Sequence, residues 1–134
     1  MFIDASAIVA LLSDEPEAAR VSAAIGSARR PVTSPVAVLE AVLGLARPDK
    51  LNISVEAVES LVMEFLAERD IVLSDLPPAA EAASLALSAA QRFRAGRRGL
   101  NLGDCLHYAC AKHFRMPILA TASEFRQTDL DTVP

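Results

Sequence analysis

Short apolar runs alternate along this chain with longer segments of helical period. Phe2–Asp4 is apolar up to its last residue and runs at once into Ser6–Leu12, so a strand followed by a helix is predicted there. Glu15–Ser27 reads as a second helix, with Pro16 in its first turn and Gly26 near its end. Pro31–Thr33 predicts a second strand. Ser34 and Pro35 then supply a cap and a first-turn proline for the apolar helix that carries Glu40. Over Val55–Glu68, capped by Ser54, Val55, Val58, Val62, Phe65 and Leu66 share one face and Glu56, Glu59, Ser60 and Glu64 another. Ile71–Leu73 predicts a third strand, and Pro77 and Pro78 open an Ala-rich helix ending near Gly96. Asn101–Phe114 is a further helix, stopped by Pro117 before a strand at Ile118–Ala120. Strands alternating with helices predict a mainly parallel sheet of four to five short strands, covered on both faces. Such sheets place their sites at the C-terminal strand ends, where Asp4 lies.

Three acids interrupt this apolar pattern. Asp4 is the only charge in Phe2–Leu12, Glu40 the only one in Val36–Ala46, and Asp104 the only one in Gly99–Ala111. An unpaired carboxylate in apolar surroundings costs several kcal/mol or is driven to its neutral form. A divalent cation shared by all three would remove both the desolvation problem and their mutual repulsion.

Composition narrows the function classes. The 134 residues predict one domain, residues 1–134, and the 52% hydrophobic content predicts a well-buried core. No apolar run reaches the roughly 18 residues of a membrane span, and the N-terminus lacks the pattern of a secretory signal, so a cytoplasmic protein is expected. Cys105 and Cys110, five apart on one helix, fit neither a disulfide framework nor a CxxC site and are expected to be small core residues. The net charge of −4 argues against general attraction to nucleic acid. A local attraction is offered by Arg92, Arg94, Arg97 and Arg98 in RFRAGRR, which leads directly to Asp104; the competing expectation is a solvated helix end. His107, three residues after Asp104 on one helix, is within reach of the site, yet it and His113 are expected to be structural, since oxygen-rich Mg2+ sites rarely use imidazole, and Met63, Phe65 and Phe114 are expected in the core.

FIDASA at the start, a lone Glu in an apolar helix, GLNLGDCLHYACAK, the strand PILA and the ending EFRQTDL together resemble a PIN-domain ribonuclease of the VapC toxin type. The resemblance spans nearly the whole chain and implies a compact α/β/α sandwich that gathers three or four acids, binds Mg2+ or Mn2+ and cleaves RNA. It also implies a homodimer and a cognate VapB-type antitoxin. By position, Asp4, Glu40 and Asp104 take the metal-site roles and Ser6 is the hydroxyl beside the first Asp. The fourth acid departs from the pattern: where similar toxins read like G-N-D-F, this chain has Ala122, Ser123, Glu124 and Phe125. Glu124 is the candidate at that position, with Asp129 as a second.

Phosphodiester hydrolysis needs an activated water, charge neutralisation on the non-bridging oxygens and a stabilised leaving alkoxide, all within the reach of Mg2+. Mg2+ is commonly held by one or two carboxylates and keeps several waters, so Asp4 and Asp104 are expected to bind directly and Glu40 through water. Asp104, in the first turn of its helix, is expected to be kept ionised by the helix dipole. A receiver domain would pair acids after the first strand, and a haloacid-dehalogenase-type phosphatase would show D-x-D where this chain has Asp4, Ala5 and Ser6. The alternatives that stay open are a catalytically impaired interaction module and a PIN nuclease of RNA processing.

Overall fold

The computed structural model describes residues 1–133. Among them, five two-residue strands are β1 (Phe2–Ile3), β2 (Val32–Thr33), β3 (Val72–Leu73), β4 (Ile118–Leu119) and β5 (Thr132–Val133). They form one sheet in the order β3-β2-β1-β4-β5 with every pairing parallel. The helices are α1 (Ala5–Leu12), α2 (Ala18–Ser27), α3 (Pro35–Leu45), α4 (Val55–Glu68), α5 (Ala79–Phe93) and α6 (Leu102–Phe114), with a 3-10 turn at Glu124–Gln127.

Successive strand residues point to opposite faces of a sheet. In β1, Phe2 and Ile3 are both fully buried, as are Ile118 and Leu119 in β4, so the centre of the sheet is covered on both faces. This is the α/β/α arrangement the alternating pattern predicts. Each of those side chains contributes roughly 1.5–3 kcal/mol of transfer free energy on burial. The edge strand β3 is half exposed at Val72 and Leu73.

The predicted helices are present with shifted ends. α2 begins at Ala18 instead of Glu15, because Asp14 is in the left-handed region and Glu15 N bonds back to Ala10 O, which turns the chain before the helix starts. α5 stops at Phe93 and does not reach Gly96. Gly96 has φ +93°, and a Cβ at Gly99 would stand 1.9 Å from Arg94 O, so these two glycines fold the chain back until Leu100 N bonds Phe93 O. Only Arg92 of the basic run is therefore helical. On α4 the buried face is Val58, Val62, Phe65 and Leu66, while Val55 and Met63, both expected inside, are exposed because they flank an open groove beside Leu39 and Leu73. β5 lies in a tail whose polar residues gave no strand signal. Cys105 and Cys110 are free and buried, and burial pushes the Cys110 thiol up to about 11.

Candidate active site

Strand order reverses between β1 and β4: from β1 the chain lays β2 and β3 to one side, then returns to lay β4 and β5 on the other. The crevice beyond the C-terminal ends of such a pair is where open parallel sheets carry their sites. Asp4 immediately follows β1, is 4% exposed and caps α1. Its Oδ2 accepts from Ser6 N at 2.9 Å and from Ser6 Oγ at 2.5 Å. Ser6 Oγ in turn accepts from Thr121 N at 3.0 Å, which ties the segment after β4 to the start of α1.

Two helices bring the other acids to the same place. α3, capped by Ser34 through Ala37 N, projects Glu40 toward the first turn of α6, where a Cβ on Gly103 would stand 1.8 Å from Glu40 Oε1. Gly103 thus leaves the space that the carboxylate fills. Asp104 forms a capping box with Asn101: Asp104 N donates to Asn101 Oδ1 and Asn101 N donates to Asp104 Oδ2, each at 2.8 Å. Burial raises the Asp104 carboxyl above its usual range and the capping bond opposes this; Asp4 and Glu40 raise it further and His107 lowers it. The helix start therefore does not depress this group as expected, because desolvation and two neighbouring carboxylates outweigh it.

His107 lies within this cluster. Its side chain is fully buried, with Nε2 2.7 Å from Glu40 Oε2 and 3.6 Å from Asp4 Oδ1. Burial disfavours its charged form, but the Glu40 hydrogen bond and the field of Asp4, Glu40 and Asp104 overcome that and raise its pKa. The scarcity of imidazole in oxygen-rich sites favoured a purely structural His107, and the structure instead sets it against two of the acids. The reading borne out is the one carried by its spacing, three residues after Asp104 on one helix, which turns it toward the site.

The three acids share one electrostatic neighbourhood without forming a ready cage. Among the described residues, no three His, Cys, Asp or Glu side chains are grouped as a metal site. Each carboxylate is instead engaged by a protein donor: Asp4 by Ser6, Glu40 by His107 and Asp104 by Asn101. Asp4 Oδ1, however, is buried with no hydrogen-bond partner, and an orphaned carboxylate oxygen calls for a cation or a water. The donors are oxygens, and their number and partial exposure fit a hard divalent ion that keeps much of its water. Asp4 alone is deeply buried; Glu40 and Asp104 sit half exposed at the mouth.

The PIN domain family model matches residues 1–130. This chain belongs to the PIN-domain family. Ribonuclease VapC36 of Mycobacterium tuberculosis is 36% identical over 137 aligned positions, covering 98% of this chain and 91% of the relative. Among solved structures, M. tuberculosis VapC20, described as a sarcin-ricin loop cleaving toxin, superposes with a TM-score of 0.76 at 15% identity, covering 98% of this chain and 97% of its own. A toxin–antitoxin complex from Klebsiella pneumoniae contains a chain with a TM-score of 0.70 at 14% identity, covering 99% and 96%.

The remaining candidates of this PIN domain divide by their surroundings. Glu124 opens the 3-10 turn after β4, on the segment that Thr121 ties to Ser6, and its Oε2 is buried without a partner. Asp129 is engaged elsewhere: it accepts from Tyr108 Oη at 2.8 Å and pairs with Lys112 at 3.0 Å and Arg92 at 3.2 Å. Burial works against its charge, yet the bonds from Tyr108, Lys112 and Arg92 hold its carboxyl down at about 2. Arg92 is thereby committed to Asp129 and stacks on Phe93, which sets it apart from the other three basic residues. Arg94, Arg97 and Arg98 are exposed on the loop leading into α6, and Gln127 of the 3-10 turn bonds Arg98 O. The basic loop and the Glu124 turn are therefore neighbours.

Proposed function

We infer that this chain is an endoribonuclease that hydrolyses RNA phosphodiester bonds at the Asp4, Glu40 and Asp104 cluster and serves as the toxin of a VapC-type toxin–antitoxin pair. The observation that carries the reading is the meeting of acids at the switch point of the sheet: buried Asp4, with Oδ1 unpartnered, and Glu40 both approach His107 on the helix whose first turn carries Asp104. Acids from three separate elements share one field where a parallel sheet carries chemistry. The ribonuclease names of relatives at 32–36% identity support the activity, and the Klebsiella complex supports an antitoxin partner.

Asp4 and Asp104 would hold a divalent cation directly, Mg2+ with Mn2+ as a substitute, and Glu40 would act through water. Bound there, the ion supplies charge neutralisation on the phosphate and a water of lowered pKa. Ser6 fixes one oxygen of Asp4 and leaves Oδ1 free to bind. Glu40, half exposed at the mouth, would accept a proton from an attacking water, and Glu124 would offer a fourth carboxylate from the turn after β4. Arg94, Arg97 and Arg98 would meet RNA phosphates beside that turn. Residues 1–134 form a single domain in this reading, acting in the cytoplasm as a homodimer. Among the described residues no helix is long and apolar enough to cross a membrane.

The test is cleavage of an end-labelled RNA by purified protein. Products are expected with Mg2+ or Mn2+, none with EDTA, and none from Asp4→Asn. A folded wild type that leaves RNA intact in both metals would favour the non-catalytic interaction module.

A further inference from the structure

The oxygen chemistry of the site leaves one member of the cluster without a task. His107 is fully buried, and its Nε2 is within hydrogen-bond distance of Glu40 Oε2 at 2.7 Å but not of Asp4 Oδ1 at 3.6 Å. The ring packs against Phe2, whose centroid lies 5.8 Å away, so the imidazole is itself held in place by the core. Its Nδ1 is buried with no partner. Whatever the charge of the ring, a proton on Nε2 has an acceptor waiting in Glu40.

Glu40 is gripped from two sides. Oε2 meets the ring nitrogen, and Oε1 lies over Gly103, one turn before His107 on α6, where any Cβ would intrude to 1.8 Å. A half-exposed Glu has three rotatable bonds and ordinarily samples several rotamers. Here a fixed donor and a bare backbone select one of them.

We propose that His107 is a positioning residue that locks the Glu40 carboxylate into one orientation toward Asp4 and Asp104, with Gly103 as the seat on which that carboxylate rests. The proposal rests on the nuclease reading and adds to it the device that orders the Glu40 side chain. Only a donor at the Nε2 position is required. Gln, whose amide nitrogen reaches the same place, should therefore substitute for His107, and Leu should not.

The experiment compares wild type, His107→Gln, His107→Leu, Glu40→Gln and His107→Leu/Glu40→Gln. Each is measured for steady-state cleavage of one RNA in Mg2+ and for Mn2+ binding by calorimetry in the absence of RNA. His107→Leu is expected to lower kcat by about 10–100-fold with KM little changed, the range for groups that orient a site's carboxylates. It should weaken Mn2+ binding about tenfold, His107→Gln should recover most of both, and the Leu change should add nothing once Glu40 is Gln. Wild-type kcat and Mn2+ affinity in folded His107→Leu, or equal losses in both Glu40 backgrounds, would overturn the proposal. If His107→Leu fails to fold by circular dichroism, Gly103→Ala decides, since it displaces Glu40 and leaves the ring in place: the same kcat loss supports the proposal and a wild-type kcat overturns it. A wild type that binds Mn2+ but cleaves no RNA would strike the nuclease reading instead, and the Mn2+ affinities would still judge His107.

Discussion

Ser6 Oγ donates to Asp4 Oδ2 at 2.5 Å and at the same time accepts from Thr121 N. One hydroxyl thus fixes the most buried acid of the site and fastens the segment carrying Glu124 beside it. Ser6→Ala should leave Thr121 N without its partner and release Asp4, a loss of about 1–3 kcal/mol for an unsatisfied buried donor. Urea unfolding should show that loss, with a fall in RNA cleavage larger than the change in folded fraction explains; unchanged stability and cleavage would make the hydroxyl dispensable.

Asp4→Asn, Glu40→Gln and Asp104→Asn should each reduce Mg2+-dependent RNA cleavage by more than about a hundredfold and relieve growth inhibition, because each removes charge from one site. Glu124→Gln should have a smaller effect. Near-wild-type cleavage by any of the first three, with folding confirmed, would take that residue out of the catalytic set.

Asp104 gives a stability prediction in the metal-free protein. Its folded pKa lies above its unfolded value, so its contribution to stability is fully present below the unfolded pKa and is lost as pH rises through the folded one. At neutral pH the ionised carboxyl therefore strains the fold. Asp104→Asn, which keeps an oxygen for Asn101 N, should melt higher than wild type without metal and gain less when Mg2+ or Mn2+ is added. Equal metal-induced shifts in wild type and Asp4→Asn/Asp104→Asn would show that these acids do not share a site.

The opposite sign holds at Asp129. Its carboxyl is held down at about 2, so the stability it supplies is present above the ordinary carboxylate range and disappears as pH falls from about 4 through about 2. Asp129→Asn should flatten the acid limb of the wild-type stability profile in that window. An unaltered limb would show that the Tyr108, Lys112 and Arg92 contacts contribute nothing in solution.

Replacing two of Arg94, Arg97 and Arg98 by Gln should weaken RNA binding and reduce its salt slope by roughly 0.7 log units per lost phosphate contact on single strands. Metal affinity should hardly change. Arg92→Gln should instead lower stability through Asp129, and a salt slope that responds only to Arg92 would reverse this division of the basic run.

The fold was legible because burial imposes period. Two-residue strands with both faces buried read as unbroken apolar runs, and Ser34, Ser54 and Asn101 mark helix starts by the cap bonds they make. The isolated acids pointed to one place because charge is expensive where Asp4 lies. Fine geometry was not legible. Nothing local to Gly103 says that Glu40, far away in sequence, lies against it, and the preference of hard cations for oxygen concealed a histidine that acts on a carboxylate. The division of the arginines likewise depended on Asp129, which reaches Arg92 only once the tail has folded back across α6.

Each strand of this sheet is only two residues long. The two edges, β3 with half-exposed Val72 and Leu73 and β5 with Thr132 and Val133, would be a hazard in a longer sheet, because an open row of unpaired amides and carbonyls can template the strands of other molecules. Here each edge offers too short a row to register a foreign strand, well below the six or seven residues of a self-stacking segment. The same brevity that makes the helices carry most of the core leaves the protein with little backbone through which to aggregate.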